Sequence, residues 1–459
     1  MTFKRASEHY GYKLLVIGTP IIIQHLMQYI QLQVDMALLG HYNPVLLSAV
    51  GNVLFPYNVL VSFIMATSLG ATILIAHCYG SNELILAKRY SEVSFFYNMI
   101  ISVLFFAGLY LFTPAILSQL GTPGEIESYT ADYMRILSFS FLLLGVEFSI
   151  TSTLQGMGIT RHIMYAGIIR TVINVFFDWV LIYGYLGFPE MGIKGAALAT
   201  TMSNYAAALY FIGVIIFSRR LRFNPSLSGI FNPEWRLQKE NMRVGLPSGM
   251  ESILWTFGQI AIIRMVNEID TYSSGLYVLV GRIQAFTFFI YIGIARATMI
   301  LVGQKLGADK PKEATKIAFL SLRYSLILCV IISTLFVTIP EEILSIFTGD
   351  EVLINRVSHL MYIIAIIIFP VAVNVIMGNA IRGMKDTKWM FYTQAAGTFF
   401  IVCMSALMIF VFHLNLLGIF LSILFDETFR ASLNFTRFYK GREFILRILK
   451  PWKLLGKGV

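Results

Sequence analysis

The second half of this chain repeats the first half at an offset of 227 positions. Pro20 in VIGTPIII corresponds to Pro247 in VGLPSGM, and LQGMGITRHIMY at 154–165 corresponds to IRGMKDTKWMFY at 381–392. Each half carries about six long apolar stretches. Two equivalent halves in one membrane predict a binding cavity between them that opens alternately to each side. The pattern is typical of transporters, although channels also contain repeats.

The composition indicates a membrane protein, because 57% of the residues are hydrophobic and only 13% are charged. Crossing the hydrocarbon takes roughly 20 apolar residues as a helix, and an open sheet edge is not tolerated there. We therefore predict an all-α polytopic membrane protein with twelve transmembrane helices in two pseudo-symmetric six-helix lobes. The predicted spans are 13–38, 47–77, 90–113, 130–155, 163–186, 193–217, 245–267, 275–304, 316–339, 357–381, 389–412 and 415–436.

The domain organisation follows from the one long polar connector, residues 218–243, which contains two Asn-Pro breakers. It separates an N-terminal lobe at 1–217 from a C-terminal lobe at 244–439, and a basic tail follows at 440–459. The other loops are short, which leaves no room for a soluble catalytic domain. We therefore expect no enzyme activity and no cofactor.

Lysines and arginines concentrate in the N-terminal tail, the connector, every second loop and the C-terminal tail, with Lys194 and Arg356 as exceptions. The positive-inside rule then predicts a multi-pass cell-membrane protein with both termini in the cytoplasm. This orientation and contact with anionic lipid explain the formal net charge of +10, so the charge does not indicate nucleic-acid binding. Three scattered cysteines show no metal or redox spacing.

A polar stripe runs along the first span. Gln24, Gln28, Gln31 and Asp35 are spaced 4, 3 and 4 residues apart, which places them on one face of an α-helix. A carboxylate at membrane depth costs several kcal/mol unless it is hydrated, paired or neutralised. The stripe therefore predicts a water-lined cavity, or alternatively a hydrogen-bonded seam between helices.

The fifth span carries a second stripe, in which Arg170, Asn174 and Asp178 follow one another at i,i+4 steps. Asp178 lies about 22 Å along the axis from the cytoplasmic end, in the outer half of the membrane. Asp35 is expected at the same depth, and Thr200 lies a few residues inside the returning sixth span. The sequence thus predicts that Asp35, Asn174, Asp178 and Thr200 converge.

Two chemistries fit this oxygen-rich set. It can coordinate a hard monovalent cation such as Na⁺, or two close carboxylates in a low dielectric can share and release a proton. A structural alternative is that Arg170 neutralises Asp178. In the second half, Glu251 aligns with Gln24 and is expected to line the cavity of that lobe or to form a structural ion pair. Pro20 and Pro247 are either bending points or static kinks.

Several segments together resemble the multidrug and toxic compound extrusion (MATE) family across nearly the full length of the chain. They are VDMALLGHY with LSAVGN, ATSLGATILIAHCYGSNE, LQGMGITRHIMY, NVFFDWVLIYG with GIKGAALAT, GLPSGMES, and ARATMILVGQKLGADKPKEA. Their order and spacing, rather than any one motif, make the resemblance specific.

The resemblance implies a V-shaped bundle of twelve helices that exports organic cations and other amphipathic compounds by antiport against Na⁺ or H⁺, without ATP. In members with this pattern the N-terminal lobe binds the coupling cation. Asp35, Asn174 and Asp178 match that pattern, and Thr200 follows a loop that varies among members. Gln28 and Pro20 correspond to the cavity-facing and bending positions of the first helix.

The chain also departs from the family's NorM-type branch, which carries a coupling acid in the seventh helix about two turns after its proline. Trp255 occupies that place here, with Glu251 one turn earlier. The tenth span has Asn374 and Asn379 but no central acid. The N-lobe site therefore resembles that of DinF-type and archaeal members, and a second cation site in the C-terminal lobe stays open.

Three other functions are less consistent with this sequence. A flippase for lipid-linked saccharides or an exporter of another metabolite, from the same superfamily, is the nearest alternative. A channel needs a selectivity ring or filter, and none is apparent. A membrane enzyme needs a catalytic cluster, but the seven histidines are dispersed without an HExxH motif. We predict a monomer that contacts small amphipathic or cationic substrates and membrane lipid.

Overall fold

The structure is a computed structural model that describes the backbone of residues 3–218, 221–269, 271–346 and 348–455. Side chains are described for 9–218, 221–269, 273–285, 287–346, 348–355 and 357–441. Arg356 and most of the predicted basic tail at 440–459 therefore have side chains outside the described residues.

Sixteen α-helices account for nearly all of the described chain, together with a 3₁₀ turn at Tyr185–Gly187 and a π-helical turn at Leu407–Val411. The helices of the first half are α1 (Phe3–Tyr42), α2 (Val45–Gly80), α3 (Leu84–Leu111), α4 (Thr113–Gln119), α5 (Gly124–Ser138), α6 (Phe141–Met157), α7 (Arg161–Tyr183), α8 (Ile193–Phe217) and α9 (Leu227–Ile230). Those of the second half are α10 (Trp235–Asn267), α11 (Thr271–Gly307), α12 (Pro311–Thr338), α13 (Pro340–Ser345), α14 (Glu351–Gly383), α15 (Thr387–Ala406) and α16 (Asn415–Leu455).

The predicted all-α membrane architecture is confirmed. Among the described residues, nine helices are long and apolar enough to cross a membrane, or ten when α5 and α6 count as one bent span. The other two predicted spans, 245–267 and 415–436, fall within the more polar helices α10 and α16. The count of twelve stays a prediction.

The prediction of a single helix at 130–155 is wrong. The segment divides into α5 and α6, which meet at a bend of 47°. Hydroxyl groups from α8 reach the backbone at the break: Thr201 donates to the Ile136 carbonyl at 3.2 Å and Tyr205 to the Phe139 carbonyl at 2.8 Å. Side chains that bind free carbonyls stabilise such a break. The cause lies in a neighbouring helix, which local sequence does not reveal.

The chain forms two compact units. The N-terminal unit is Pro20–Gly249, and the C-terminal unit is Met250–Val459 together with Met1–Thr19. Helices α1 and α10 each contribute to both units, and both continue through their internal prolines, Pro20 and Pro247. The predicted connector 218–243 ends inside α10 rather than before it.

Each unit has its own apolar core. In the N-terminal unit, buried residues of α2, α5, α6, α7 and α8 pack together, among them Phe141, Ile182 and Ile193. In the C-terminal unit, Tyr291, Phe420 and the apolar face of α14 form the centre. Buried polar side chains are normally hydrogen-bonded, so a buried polar atom in either unit that lacks a partner needs an explanation.

Candidate functional site

Helices α1 and α7 lie side by side and run in the same direction within the N-terminal unit. The glycine at 167 allows the close approach, because a Cβ there would lie 3.1 Å from Cγ of Gln24. Further along, Thr171 donates a hydrogen bond to the Met27 carbonyl at 3.2 Å, and Tyr183 donates to the Leu38 carbonyl at 2.8 Å. These contacts fix the relative register of the two polar stripes.

This register brings the predicted residues together. The side chains of Asp35 and Asn174 approach the carboxylate of Asp178. Asn174 donates a hydrogen bond to Thr200 of α8 at 3.4 Å. Asn174 and Asp178 are fully buried, while Asp35 and Thr200 are half-buried. The four residues form one cluster, which we call the carboxylate site.

Several oxygens of the carboxylate site have no donor among the described residues. Oδ1 of Asp35, Oδ1 of Asn174 and both carboxylate oxygens of Asp178 are buried and accept no hydrogen bond. Buried polar atoms are normally satisfied, and an exception calls for an ion, a proton or water. A hard monovalent cation prefers such oxygen ligands. A proton shared between the two carboxyl groups would serve equally well.

Tyr133 of α5 is a further residue beside this site, and the sequence analysis did not identify it. Its side chain is 6% exposed, and the charges of Asp35 and Asp178 act on its phenol. A tyrosine in a helix of ordinary amphipathic pattern carries no signal of its own. Its position depends on the bend between α5 and α6, which was itself unexpected.

Arg170 does not neutralise Asp178, so the structural alternative is wrong. Its guanidinium pairs instead with Glu147 of α6, and each side chain is only 10% exposed. Two turns separate Arg170 from Asp178 on the same helix, whereas Glu147 lies directly across on a neighbouring helix. The carboxylate site therefore has no ion-pair partner among the described residues.

The remaining predicted cavity residues divide between the two units. Gln24 and Gln28 are half-buried on α1, and Gln31 is 9% exposed. Glu251 lies in the C-terminal unit, where it pairs with Arg382 of α14. The structure thus does not place Glu251 in the carboxylate site.

The repeat does not place the same side chains at the equivalent positions of the C-terminal unit. At the offset of 227, Asp35 corresponds to Ile262, Asn174 to Ile401, Asp178 to Ser405 and Thr200 to Glu427. The two isoleucines belong to the apolar core of that unit.

Comparison with a family model reproduces the internal repeat. The MatE family model matches residues 20–180 and 247–408, which together make up more than half of the chain. The second match begins 227 positions after the first, the offset of the repeat.

Two curated bacterial proteins are similar over much of their length. The probable multidrug resistance protein NorM of Thermotoga maritima is 27% identical over 439 residues, which cover 94% of this chain and 92% of that protein. The probable multidrug resistance protein YoeA of Bacillus subtilis is 25% identical, with 76% of each chain covered.

Solved structures show the same fold. A crystal structure of MATE in the bent conformation has a TM-score of 0.89 at 16% identity and covers 98% of this chain and 99% of that one. A transporter of the MOP superfamily from Pyrococcus furiosus, described as having a binding pocket of reversed polarity, has a TM-score of 0.87 at 17% identity, with 94% and 96% covered.

Proposed function

Because the chain belongs to the MatE family, we propose that it is a cation-coupled antiporter that exports organic cations and other amphipathic compounds by alternating access. The multidrug resistance names of its relatives support this class of substrate. The proposal also includes insertion in the cell membrane with both termini in the cytoplasm, function as a monomer, and contact with lipid.

The observation that carries the proposal is the set of unbonded oxygens on Asp35, Asn174 and Asp178. Two buried carboxylates without a basic partner are unstable when both are ionised. Occupation by one Na⁺ or by a proton removes that instability, so the site is expected to alternate between occupied and empty states as the ion gradient changes. Asn174 and Thr200 hold the geometry through their mutual hydrogen bond.

Coupling follows when the ion and the substrate favour different states of the protein. A ligand shifts a conformational equilibrium only by its difference in affinity between the states. An entering cation neutralises the carboxylate site, and a cationic substrate that is attracted to the same negative charge is then released. Gln24, Gln28 and Gln31 on the preceding turns of α1 are the proposed polar lining for the substrate, together with Asp35 itself. Glu251 is the proposed lining residue of the C-terminal unit.

The test is efflux of a cationic dye from proteoliposomes under an imposed Na⁺ gradient or an imposed pH gradient. We expect one gradient to drive efflux by the wild type, and Asp35→Asn and Asp178→Asn each to reduce the driven rate by at least about tenfold, because each removes a charge needed for ion binding.

Asp132→Asn is the matched control. Asp132 lies in the same unit on an exposed surface, where it pairs with Lys194 at 3.0 Å. Driven efflux that survives both site substitutions would refute the carboxylate site. If neither gradient moves any cationic dye, the flippase or metabolite exporter becomes the better assignment.

A further inference from the structure

A surface groove on α12 contains an arginine that the proposed export cycle does not use. The groove has a volume of about 340 Å³ and is lined by Phe319, Leu322, Arg323, Leu326, Ile327 and Val330. Five of these six side chains are apolar, and two of them, Ile327 and Val330, are 48% and 55% exposed. The α12 groove is therefore an open apolar surface with one charged group in it.

Arg323 has no partner of its own in the described part of the chain, where it forms no ion pair, hydrogen bond or ring contact. Its side chain is exposed. It lies about 10 Å beyond the cytoplasmic end of the predicted span 316–339. An arginine at that depth on a lipid-facing surface is costly unless an anion or the headgroup region receives its charge.

The charges on this face of α12 are all positive and lie toward its cytoplasmic end. Lys312, Lys316 and Arg323 are spaced 4 and 7 residues apart, which places them on one face of the helix. The acid of the first turn, Glu313, pairs with Lys305. It lies next to Lys312 in the sequence and so points to a different side of the helix.

The same face becomes apolar beyond Arg323. Ile327 and Val330 follow it by 4 and 7 residues and line the same groove. The helix does not need an arginine here, because the position equivalent to Arg323 in the first half is Phe96. Basic groups near the cytoplasm followed by an apolar groove match the order of headgroup and acyl chain in a phospholipid of the cytoplasmic leaflet.

We propose that the α12 groove is a binding site for an anionic phospholipid. The planar guanidinium of Arg323 donates charge-assisted hydrogen bonds to the phosphate, and its long aliphatic stem lets the charge reach toward the interface. One acyl chain lies along Ile327 and Val330. Lys312 and Lys316 add the positive field that favours an anionic over a zwitterionic headgroup. This inference depends on the predicted membrane orientation and not on the export function.

The test is lipid binding to the full chain in detergent, followed by native mass spectrometry during titration with dioleoyl phosphatidylglycerol or dioleoyl phosphatidylcholine. We expect the wild type to bind phosphatidylglycerol more tightly. Arg323→Gln should raise the Kd for phosphatidylglycerol about tenfold, because a charge-assisted hydrogen bond is lost. It should change the Kd for phosphatidylcholine less, and Arg323→Lys should retain part of the preference.

Arg264→Gln is the matched control, since Arg264 is an exposed arginine of α10 near the opposite end of a predicted span. It removes the same charge and should leave the Kd for phosphatidylglycerol unchanged. Equal affinities in the wild type and Arg323→Gln, or an equal loss in Arg264→Gln, would overturn the proposal. Displacement of the lipid by an equal concentration of glycerol phosphate would assign Arg323 to a free phosphate instead.

Thermal melting separates lipid binding from a structural role of the arginine. Without added lipid, Arg323→Gln should melt at the temperature of the wild type, because the side chain is exposed and unpaired within the described residues. Phosphatidylglycerol should raise the melting temperature of the wild type more than that of the variant, as a ligand that binds only the folded state does. An equal rise in both proteins would count against the site, whether or not the protein exports any dye.

Discussion

The buried charges among the described residues include both compensated and uncompensated groups. Glu147 with Arg170, and Asp426 with Arg430, are compensated within hydrogen-bonding distance. The carboxylates of Asp35 and Asp178 have no such partner. Compensated pairs stabilise a particular packing of helices, whereas an uncompensated pair is stable only with a bound cation or proton.

The Glu147–Arg170 pair offers a stability test of this division. Arg170→Gln leaves the Glu147 charge buried without a partner, and we expect it to lower the free energy of unfolding by about 3–5 kcal/mol. The double variant Glu147→Gln, Arg170→Gln should recover most of that loss. Melting temperatures in detergent give the order of the variants, and a double variant no more stable than Arg170→Gln would contradict the account.

Helical spacing alone predicted much of the carboxylate site. Asp35, Asn174 and Asp178 were identified because i,i+4 steps put polar side chains on one face of a helix that lipid would otherwise surround. The partner of Arg170 and the position of Tyr133 were not predictable. Both depend on which helices are neighbours, and spacing within one helix carries no information on that.

At the scale of elements, the most distinctive helices are α1 and α10, each divided between the two units. The segment before each proline is bound by a phenol–carboxylate hydrogen bond. Tyr10 of α1 donates to Glu313 of α12 at 2.6 Å, and Tyr90 of α3 donates to Glu240 of α10 at 2.5 Å. Helix α12 is the repeat copy of α3, so the two bonds are equivalent with donor and acceptor helices exchanged.

We expect these two bonds to hold the segments that precede the prolines. Tyr10→Phe and Tyr90→Phe each remove a buried hydroxyl that donates to a carboxylate, which costs about 1.5–3 kcal/mol. Each substitution should lower the melting temperature in detergent, and the effects should add, because they lie in different units. Tyr12→Phe is the control, since Tyr12 is 69% exposed. Equal melting temperatures for Tyr10→Phe and Tyr12→Phe would refute this role.

The existence of the long helices was predictable, but their breaks were not. Most predicted spans fall within one described helix or the α5–α6 pair, since apolar length specifies a membrane helix. The spans 90–113, 163–186 and 316–339 run one to three residues past a helix end, and 389–412 ends one residue beyond the π-helical turn that follows α15. The prolines at 20 and 247 were predicted to be bending points or static kinks, and α1 and α10 continue as helices through them. The real break at 139–140 contains neither proline nor glycine.

At the scale of the whole molecule, the distribution of positive charge predicts the orientation in the membrane. In a Cys403→Ser background, which removes the exposed cysteine, Ser81→Cys and Ser128→Cys place one exposed thiol on each predicted side. We expect an impermeant maleimide to label Ser128→Cys in intact cells and Ser81→Cys only after permeabilisation. The reverse pattern would contradict the predicted orientation.

The repeat explains why both halves contain the same helices, but it does not explain why the carboxylate site lies in only one of them. The apolar pattern of the second half preserves the helices, while Ile262 and Ile401 stand at the positions equivalent to Asp35 and Asn174. Charge appears there at different positions, around Glu251 and Arg430. Sequence repetition therefore predicts shape, whereas function depends on the few positions at which the copies differ.

The most direct test of ion coupling is to run the exchange from the substrate side. Proteoliposomes loaded with a cationic dye are diluted into dye-free buffer, and entry of ²²Na⁺ and the internal pH are recorded together. We predict that the outward dye gradient drives one of the two ions inward in the wild type and in Asp132→Asn, but not in Asp178→Asn. Dye efflux without ion entry in the wild type, or undiminished ion entry in Asp178→Asn, would contradict the account.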